Sequence, residues 1–445
     1  MSVKSKTVSG GVRPVLAALI AVLLAVNFFV SFRNRPELTS ENGTTPSDPA
    51  DSSSVNDGIH EAEKIHEISR AKMSVTGDVI IHNALLDSAK VSGNKYNFDY
   101  IYTYFKSYVS ASDYAVTNLE TTLGGSDYTG YPVFNTPDSL LDSMTDAGFD
   151  MLLTANNHAN DTGFKGMSRT AKVLNERKID FIGTVEKESD KRYLVKAVNG
   201  IRLGMICYTY EGKPRSEGKK ALNGYMNAKS AAIINTFNSR NLDEFYSELE
   251  ERLKAMKAEG AEATIVYIHW GEEYQLDPNG SQKKIAQKLC DMGVDVIVGG
   301  HPHVVQPMAL LTSGTDAAHK TVCIYSIGNS VSNQRKNYMK LSTGHTEDGV
   351  FISFTFSKYS DGSVILTDVD VLPTWVNMYF TKSRQIFEII PLDKSVSDWG
   401  QAFSLDKAGV KDANASYKRT MKVVGEGLKA SQEYCRSRAD AKVNQ

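Results

Sequence analysis

Two histidines one residue apart, His301 and His303, stand in the run Gly299-Gly300-His301-Pro302-His303-Val304, directly after the apolar stretch Val294-Asp295-Val296-Ile297-Val298. A short β-branched run that ends in glycines and then presents imidazoles reads as a buried strand delivering metal-ligand side chains into a loop at its C-terminal end. Alone, the run is equally compatible with a tight turn carrying two solvated histidines. Four further strand-like runs end in the same kind of residue: Gly77-Asp78, Asn118-Leu119-Glu120, Asn156-Asn157-His158 and His269-Trp270-Gly271. Of the nine histidines in the chain, His158, His269, His301 and His303 fall in these clusters and His82 follows the first, a concentration that chance does not readily give. Singly, each residue has a bland reading: Asp78 a turn former, Glu120 a solvated strand end, Asn157 a cap, His269 a core histidine. Together, carboxylate, amide oxygen and imidazole at five strand ends suit a dinuclear site for borderline or hard divalent ions such as Mn, Fe or Zn.

Strands and helices must alternate to bring such ends together. Met73-Ser-Val-Thr-Gly-Asp-Val-Ile-Ile reads as a first strand broken at Gly77-Asp78, and Tyr114 to Leu119 as a second. Aromatic residues at helical spacing between Phe98 and Val109 predict a helix there; Asp138 to Ala147 predicts another, closed by Gly148. Phe149 to Thr154 is a strand, Lys165 to Glu176 a helix, and strands recur at Phe181, Leu194 to Val198 and Leu203 to Tyr210. Glu211 to Ser239 has little periodicity and reads as a loop-rich insertion over the site. Leu242 to Glu259 carries the apolar stripe Phe245, Leu249, Leu253 and Met256 of an amphipathic helix. Ala263 to His269 and Thr321 to Ser326 are strands, Gln282 to Met292 a helix, and Gly349 to Val371 a hairpin around Ser360-Asp361-Gly362. The last ~60 residues, polar and weakly helical, read as a terminal appendage. This alternation followed by late antiparallel strands points to an α/β sandwich with mixed sheets, its active face at the strand ends.

The 445 residues carry 50 basic and 52 acidic side chains, so no long-range field argues for a nucleic-acid partner. Cys207, Cys290, Cys323 and Cys435 are scattered without a C-x-x-C pair, which argues against a zinc knuckle or a disulfide scaffold and leaves Cys207 and Cys323 as buried thiols. Val15 to Phe32 is apolar except for Asn27 and Ser31, and at about 1.5 Å per residue it reaches about 27 Å, enough to cross a bilayer. Lys4, Lys6 and Arg13 before it bias the N-terminus, residues 1–14, to the cytoplasm. A cleavable signal peptide is the rival, but the run exceeds the usual apolar region and no A-x-A-like site follows. Residues 33–66, polar and rich in Ser, Thr, Pro and Asp, read as a flexible linker. The expected order is thus cytoplasmic tail, single-pass anchor, linker, a globular domain over 67–380 outside the membrane, and an appendage over 381–445.

The order and spacing of the five clusters, with Ala155-Asn-Asn-His-Ala-Asn-Asp-Thr-Gly163, His269-Trp-Gly-Glu272, Gly300-His-Pro-His-Val-Val-Gln-Pro307 and Ser326-Ile-Gly-Asn329, resemble the CapA family of capsule and poly-gamma-glutamate synthesis proteins. The likeness runs from about Met73 to Asn329, and the family's domain resembles calcineurin-like metallophosphoesterases. The resemblance implies an αββα sandwich in which Asp78 and His303 hold one ion, Asn157, His269 and His301 the other, and Glu120 bridges them. It makes His158 the acid that protonates a leaving oxygen and Asp161 the carboxylate that orients its ring. One departure stands out: those phosphoesterases open with Asp-x-His, whereas Val79 and Ile80 follow Asp78, and His82 on an extended chain lies about 13 Å away. His301 and His303, on an extended backbone held by Pro302, are expected to splay toward one ion each. The resemblance implies a role in synthesis, export or anchoring of an anionic polymer, with membrane subunits of a polymer synthase as further partners. A general extracytoplasmic phosphoesterase and a non-catalytic scaffold are the alternatives.

Overall fold

Alternating runs of apolar strand and amphipathic helix produce, in the computed structural model, two mixed sheets with helices outside them; the structure describes residues 64–212, 220–224 and 226–444. From the N-terminal side come β1 (Glu67–Val79), a small hairpin of β2 (Lys90–Ser92) and β3 (Lys95–Tyr96), then β4 (Tyr114–Leu119), β5 (Met151–Leu153) and β6 (Asp180–Ile182). The middle of the chain gives β7 (Leu194–Val198), β8 (Ile201–Tyr210), β9 (Thr236–Phe237), β10 (Ala263–His269), β11 (Val296–Gly300), β12 (Val305–Thr312) and β13 (Lys320–Ile327). β14 (Asn329–Val331), β15 (Asp348–Tyr359), β16 (Val364–Phe380) and β17 (Gln385–Pro391) follow.

The first sheet is ordered β17-β16-β15-β1-β4-β5-β6 with β14 also on β1, and the second β12-β13-β11-β10-β8-β7 with β9 on β8. In each, a parallel set carries the site and antiparallel strands lie toward the edges. Because side chains alternate across a strand, each strand feeds two layers. Val350, Ile352, Phe354 and Phe356 of β15 join Ile265 and Tyr267 of β10 between the sheets, while Phe351 faces the other way. Helices Ser139–Ala147 and Gly163–Arg177 cover the outer face of the first sheet, and Leu242–Ala258 and Gly280–Asp291 that of the second. Gly148, at φ 104°, closes the first of these helices as expected, and Asn279 with Gln282 forms a capping box at the start of the last.

Several expectations need correction. β1 continues through Gly77 and Asp78 to Val79, because β14 pairs alongside it there. Phe98 to Val109 is a 3-10 turn, Asp99–Tyr102, and one short helix, Lys106–Val109. The insertion after Glu211 contains helix Ala228–Ala231 and strand β9. The segment beyond 380 supplies edge strand β17 and the 37-residue helix Lys407–Val443, which packs on β16 and β12 and closes one side of the sandwich. Its buried stripe is Ala413, Ser416, Thr420, Val424, Leu428, Ser431 and Cys435, so small and hydroxylated side chains hide the helical period from a search for apolar ones. At Gly427 the helix comes so close to β12 that a Cβ would stand 2.1 Å from the Met308 carbonyl oxygen. All four cysteines are free and buried. Among the described residues no helix is long and apolar enough to cross a membrane; the expected anchor, 15–32, and nearly all of the linker lie outside them.

Candidate metal centre

Strand register does most of the assembly. Asp78 near the end of β1 is paired with Asn118 of β4 on one side and Asn329 of β14 on the other. His269, ending β10, lies in register with Gly300, ending β11. Glu120 follows β4, Asn157 and His158 lie in the turn after β5, and His301 and His303 in the turn after β11. The C-terminal ends of parallel strands from both sheets thus meet at one place, where open α/β sheets put their ligands. Gly299 and Gly300 permit the approach: a Cβ on Gly299 would meet the Tyr325 carbonyl oxygen at 2.0 Å, and one on Gly300 the Asp78 Oδ1 at 3.3 Å.

The residues expected at the site are buried there, Asp161 by its side chain although the residue as a whole is half-buried. His303 Nδ1 is 3.2 Å from Asp78 Oδ2 and 3.1 Å from Asn329 Oδ1, and Asn118 Nδ2 donates to Asp78 Oδ1 at 2.7 Å. His269 Nε2 is 2.8 Å from Asn157 Oδ1. Glu120 Oε1 faces His269 Nε2 and His303 Nε2 at 3.7 and 3.8 Å, beyond hydrogen-bond reach. The His301 ring sits between, its centroid 4.9 Å from His269 and 5.8 Å from His303. His301 and His303 have φ of 95° and 55°, so the expected extended backbone is absent. A tight left-handed turn aims both rings instead, a conformation that non-glycine residues adopt where the surroundings impose it, often at functional sites.

The second group is a dyad. His158 Nδ1 is 2.7 Å from Asp161 Oδ2, and the Phe134 backbone N–H donates to the same oxygen at 2.7 Å. Phe134 also packs edge-on against the His158 ring at 4.6 Å. Asn223, which no motif or spacing marks beyond its place in a loop over the site, brings Nδ2 to 3.1 Å from His158 Nε2 and accepts from Asn157 Nδ2 at 3.2 Å.

Among the expected ligands, two buried atoms have no hydrogen-bond partner: Glu120 Oε1 and His301 Nδ1. Leaving such groups unpaired costs about 1–3 kcal/mol each, and a cation among them relieves that cost. Burial, then the neighbouring Asp78 charge, pushes the Glu120 carboxyl well above its usual range. Burial, with neighbouring imidazoles adding to it, drives His269 and His301 well below theirs, leaving the neutral rings that ligate metals. Two triads present donor atoms within 4.8 Å of one another: Asp78, Glu120 and His303, and Glu273, His301 and His303. Glu273 was not singled out in the sequence, although it stands just beyond the His269-Trp-Gly-Glu272 run. The donor set fits divalent cations.

His82 does not replace the absent Asp-x-His histidine in these triads. The chain turns after Ile81, His82 becomes the N-cap residue of helix Asn83–Ala89, and its Nδ1 accepts from the Asn333 backbone N–H at 3.2 Å. Its ring lies edge-on to Phe134, and burial lowers its pKa to about 4.

The fold and site define an α/β protein whose two sheets close around a buried carboxylate–imidazole centre with the donor set of a cation site. The chain belongs to the bacterial capsule synthesis protein PGA_cap family, whose model matches residues 72–334. It is 28% identical over 278 residues to the capsule biosynthesis protein CapA of Bacillus anthracis, covering 61% of this chain and 62% of that one. It is 26% identical over 351 residues to the PGA biosynthesis protein CapA of Bacillus subtilis (strain 168), covering 75% of this chain and 82% of that one. Among solved structures, sulfate thiohydrolase SoxB of Thermus thermophilus in complex with glycerol shows 16% identity and a TM-score of 0.33 over 69% of this chain and 42% of that one, too distant to bear on this chain.

Proposed function

We propose that the protein serves in making, exporting or anchoring an anionic capsule polymer, poly-gamma-glutamate or a polysaccharide, through a two-ion hydrolase or transferase centre of the calcineurin-like metallophosphoesterase type. Family membership and the names of the Bacillus relatives support the capsule role. The observation that carries the chemistry is the unpaired Glu120 Oε1, buried among Asp78, His269 and His303. In this reading Asp78 and His303 would hold one divalent ion and Asn157, His269 and His301 the other, with Glu120 available to both; Mn, Fe and Zn are the candidates. When bound, two such ions supply Lewis acidity, lowering the pKa of water and offsetting charge that develops on a phosphoryl or carbonyl oxygen.

The chain's own residues do the rest. Asp161 takes the His158 Nδ1–H, which fixes the tautomer and leaves Nε2 as the position that exchanges protons with a leaving oxygen. Phe134 restrains the ring from its edge. Asn118, bonded to both Asp78 and Glu120, holds the two carboxylates in register. The apolar run 15–32 supports a single-pass anchor with the domain outside the membrane.

One observation favours a second reading, a non-catalytic scaffold for synthase subunits: the His82 ring accepts from the Asn333 backbone N–H and joins neither donor triad, so the centre lacks the histidine such phosphoesterases have after their first aspartate. The full chain in detergent, loaded with Mn, separates the two. Turnover of an aryl phosphodiester or of the polymer, lost in His158→Ala with the fold intact, supports the hydrolase. No turnover with any divalent ion, together with co-purification of membrane proteins, supports the scaffold.

A further inference from the structure

We infer that Glu273 is a further metal ligand beside His301 and His303, adding a carboxylate to a centre without an Asp-x-His histidine, and that it biases the site toward a harder ion. The inference rests on the metal reading above. Glu273 presents a carboxylate oxygen within 4.8 Å of donor atoms of both His301 and His303. Independently, His301 Nδ1 is buried and unpartnered, so that side of the cluster has a donor with no hydrogen bond to give up.

The backbone on either side of Glu273 is held in place, and its side chain hydrogen-bonds Tyr274. Two hydrogen bonds staple the turn after β10 to the turn after β11: Trp270 N–H to the Gly300 carbonyl at 3.1 Å, and Tyr274 N–H to the Pro302 carbonyl at 2.8 Å. Gly271 at φ 90° and Tyr274 at φ 63° make the tight bend between those staples. Tyr274 in turn lies over His303, ring centroids 6.2 Å apart, and its hydroxyl accepts from Gln334 Nε2 at 3.2 Å, which holds the bend from the far side. Glu273 is solvent-exposed, whereas His301 and His303 are buried, so it is the ligand of the three that solvent reaches. His82, the alternative occupant, has its Nδ1 committed to Asn333. A carboxylate in place of an imidazole adds a hard oxygen donor, which favours Mn over Zn relative to a histidine-rich set.

Isothermal titration of the metal-free full chain with Mn and with Zn, paired with Mn electron paramagnetic resonance, tests this without reference to activity. Glu273→Gln is expected to weaken Mn binding about tenfold or more, on the scale typical of groups around a metal, whereas His82→Ala leaves the affinity as it was. Glu273→His should retain binding while lowering the ratio of Mn to Zn affinity. Unchanged Mn affinity in Glu273→Gln, or equal weakening by both Glu273→Gln and His82→Ala, overturns the assignment; an unchanged Mn to Zn ratio in Glu273→His overturns the bias toward the harder ion. If the wild-type chain binds no Mn or Zn at all, the metal reading itself fails, an outcome distinct from loss of the Glu273 assignment alone.

Discussion

His158 and Asp161 illustrate how a dyad is tuned by what surrounds it. The carboxylate accepts both the imidazole Nδ1–H and the Phe134 backbone N–H, so its position is set by the main chain. Replacing His158 with Ala should lower kcat by about 10²–10⁴, the usual worth of a positioned acid or base, with little change in melting temperature. Asp161→Asn keeps the size and the Phe134 contact but can present an N–H where the ring needs an acceptor. It should therefore reduce kcat and distort the pH–rate profile while leaving Mn affinity intact, and equal loss of metal and rate would point to collapse of the site instead. Residue types alone flagged His158 and, through the resemblance, Asp161. They gave no hint of Asn223, whose approach depends on a loop folding back across more than sixty residues of chain.

At the level of elements, the long C-terminal helix is tied to the sandwich by Arg419, which grips Asp348 of β15 with Nε at 2.8 Å and Nη2 at 2.7 Å. Asp348 is fully buried, and burial raises its carboxyl above the ordinary range although Arg419 pulls the other way. Arg419→Met strands that carboxylate and should cost about 3–5 kcal/mol at neutral pH, the range for breaking a buried ion pair. The sign of the pH dependence follows from the raised value. A buried carboxyl of raised pKa keeps its proton in the fold where the unfolded chain has already lost it, so the penalty for ionising it is full above the folded value, shrinks as pH falls through that value and is gone below the unfolded one. Urea denaturation should thus find the variant's deficit largest near neutrality and shrinking toward acid pH; a deficit that grows with acid would contradict the account. Gly427→Leu, by pushing the same helix off the Met308 carbonyl, should lower the melting temperature without touching the metal centre.

For the whole molecule, a cation that binds only the folded chain stabilises it by mass action, about 2.7 kcal/mol at a hundredfold excess over Kd. Mn should raise the melting temperature of the wild-type chain, a chelator should reverse the shift, and Asp78→Ala or His301→Ala should abolish most of it. Location is tested separately: fractionated cells should hold the full chain in the membrane pellet, and a chain lacking residues 1–32 should not pellet with it.

The strand ends that build the centre were legible in the sequence because a parallel strand buried on both faces is a nearly continuous apolar run, and the polar residue that ends it stands out. Asp78, Glu120, Asn157, His269, His301 and His303 were each found that way. The C-terminal helix was legible only as weak helical character, since its buried stripe sets Ala413, Ser416, Thr420 and Ser431 among Val424, Leu428 and Cys435 and so does not look apolar. Nor was the backbone of His301 and His303, whose left-handed turn is imposed by the staples from β10 and by the approach of Asp78. Residue order alone is enough to say which side chains end the strands and that strands and helices alternate. That the His82 ring is held by the Asn333 backbone and that Glu273 lies beside His301 and His303 follows from the folded chain alone, because both depend on where separate turns are stapled together, a long-range property that local residue spacing does not encode.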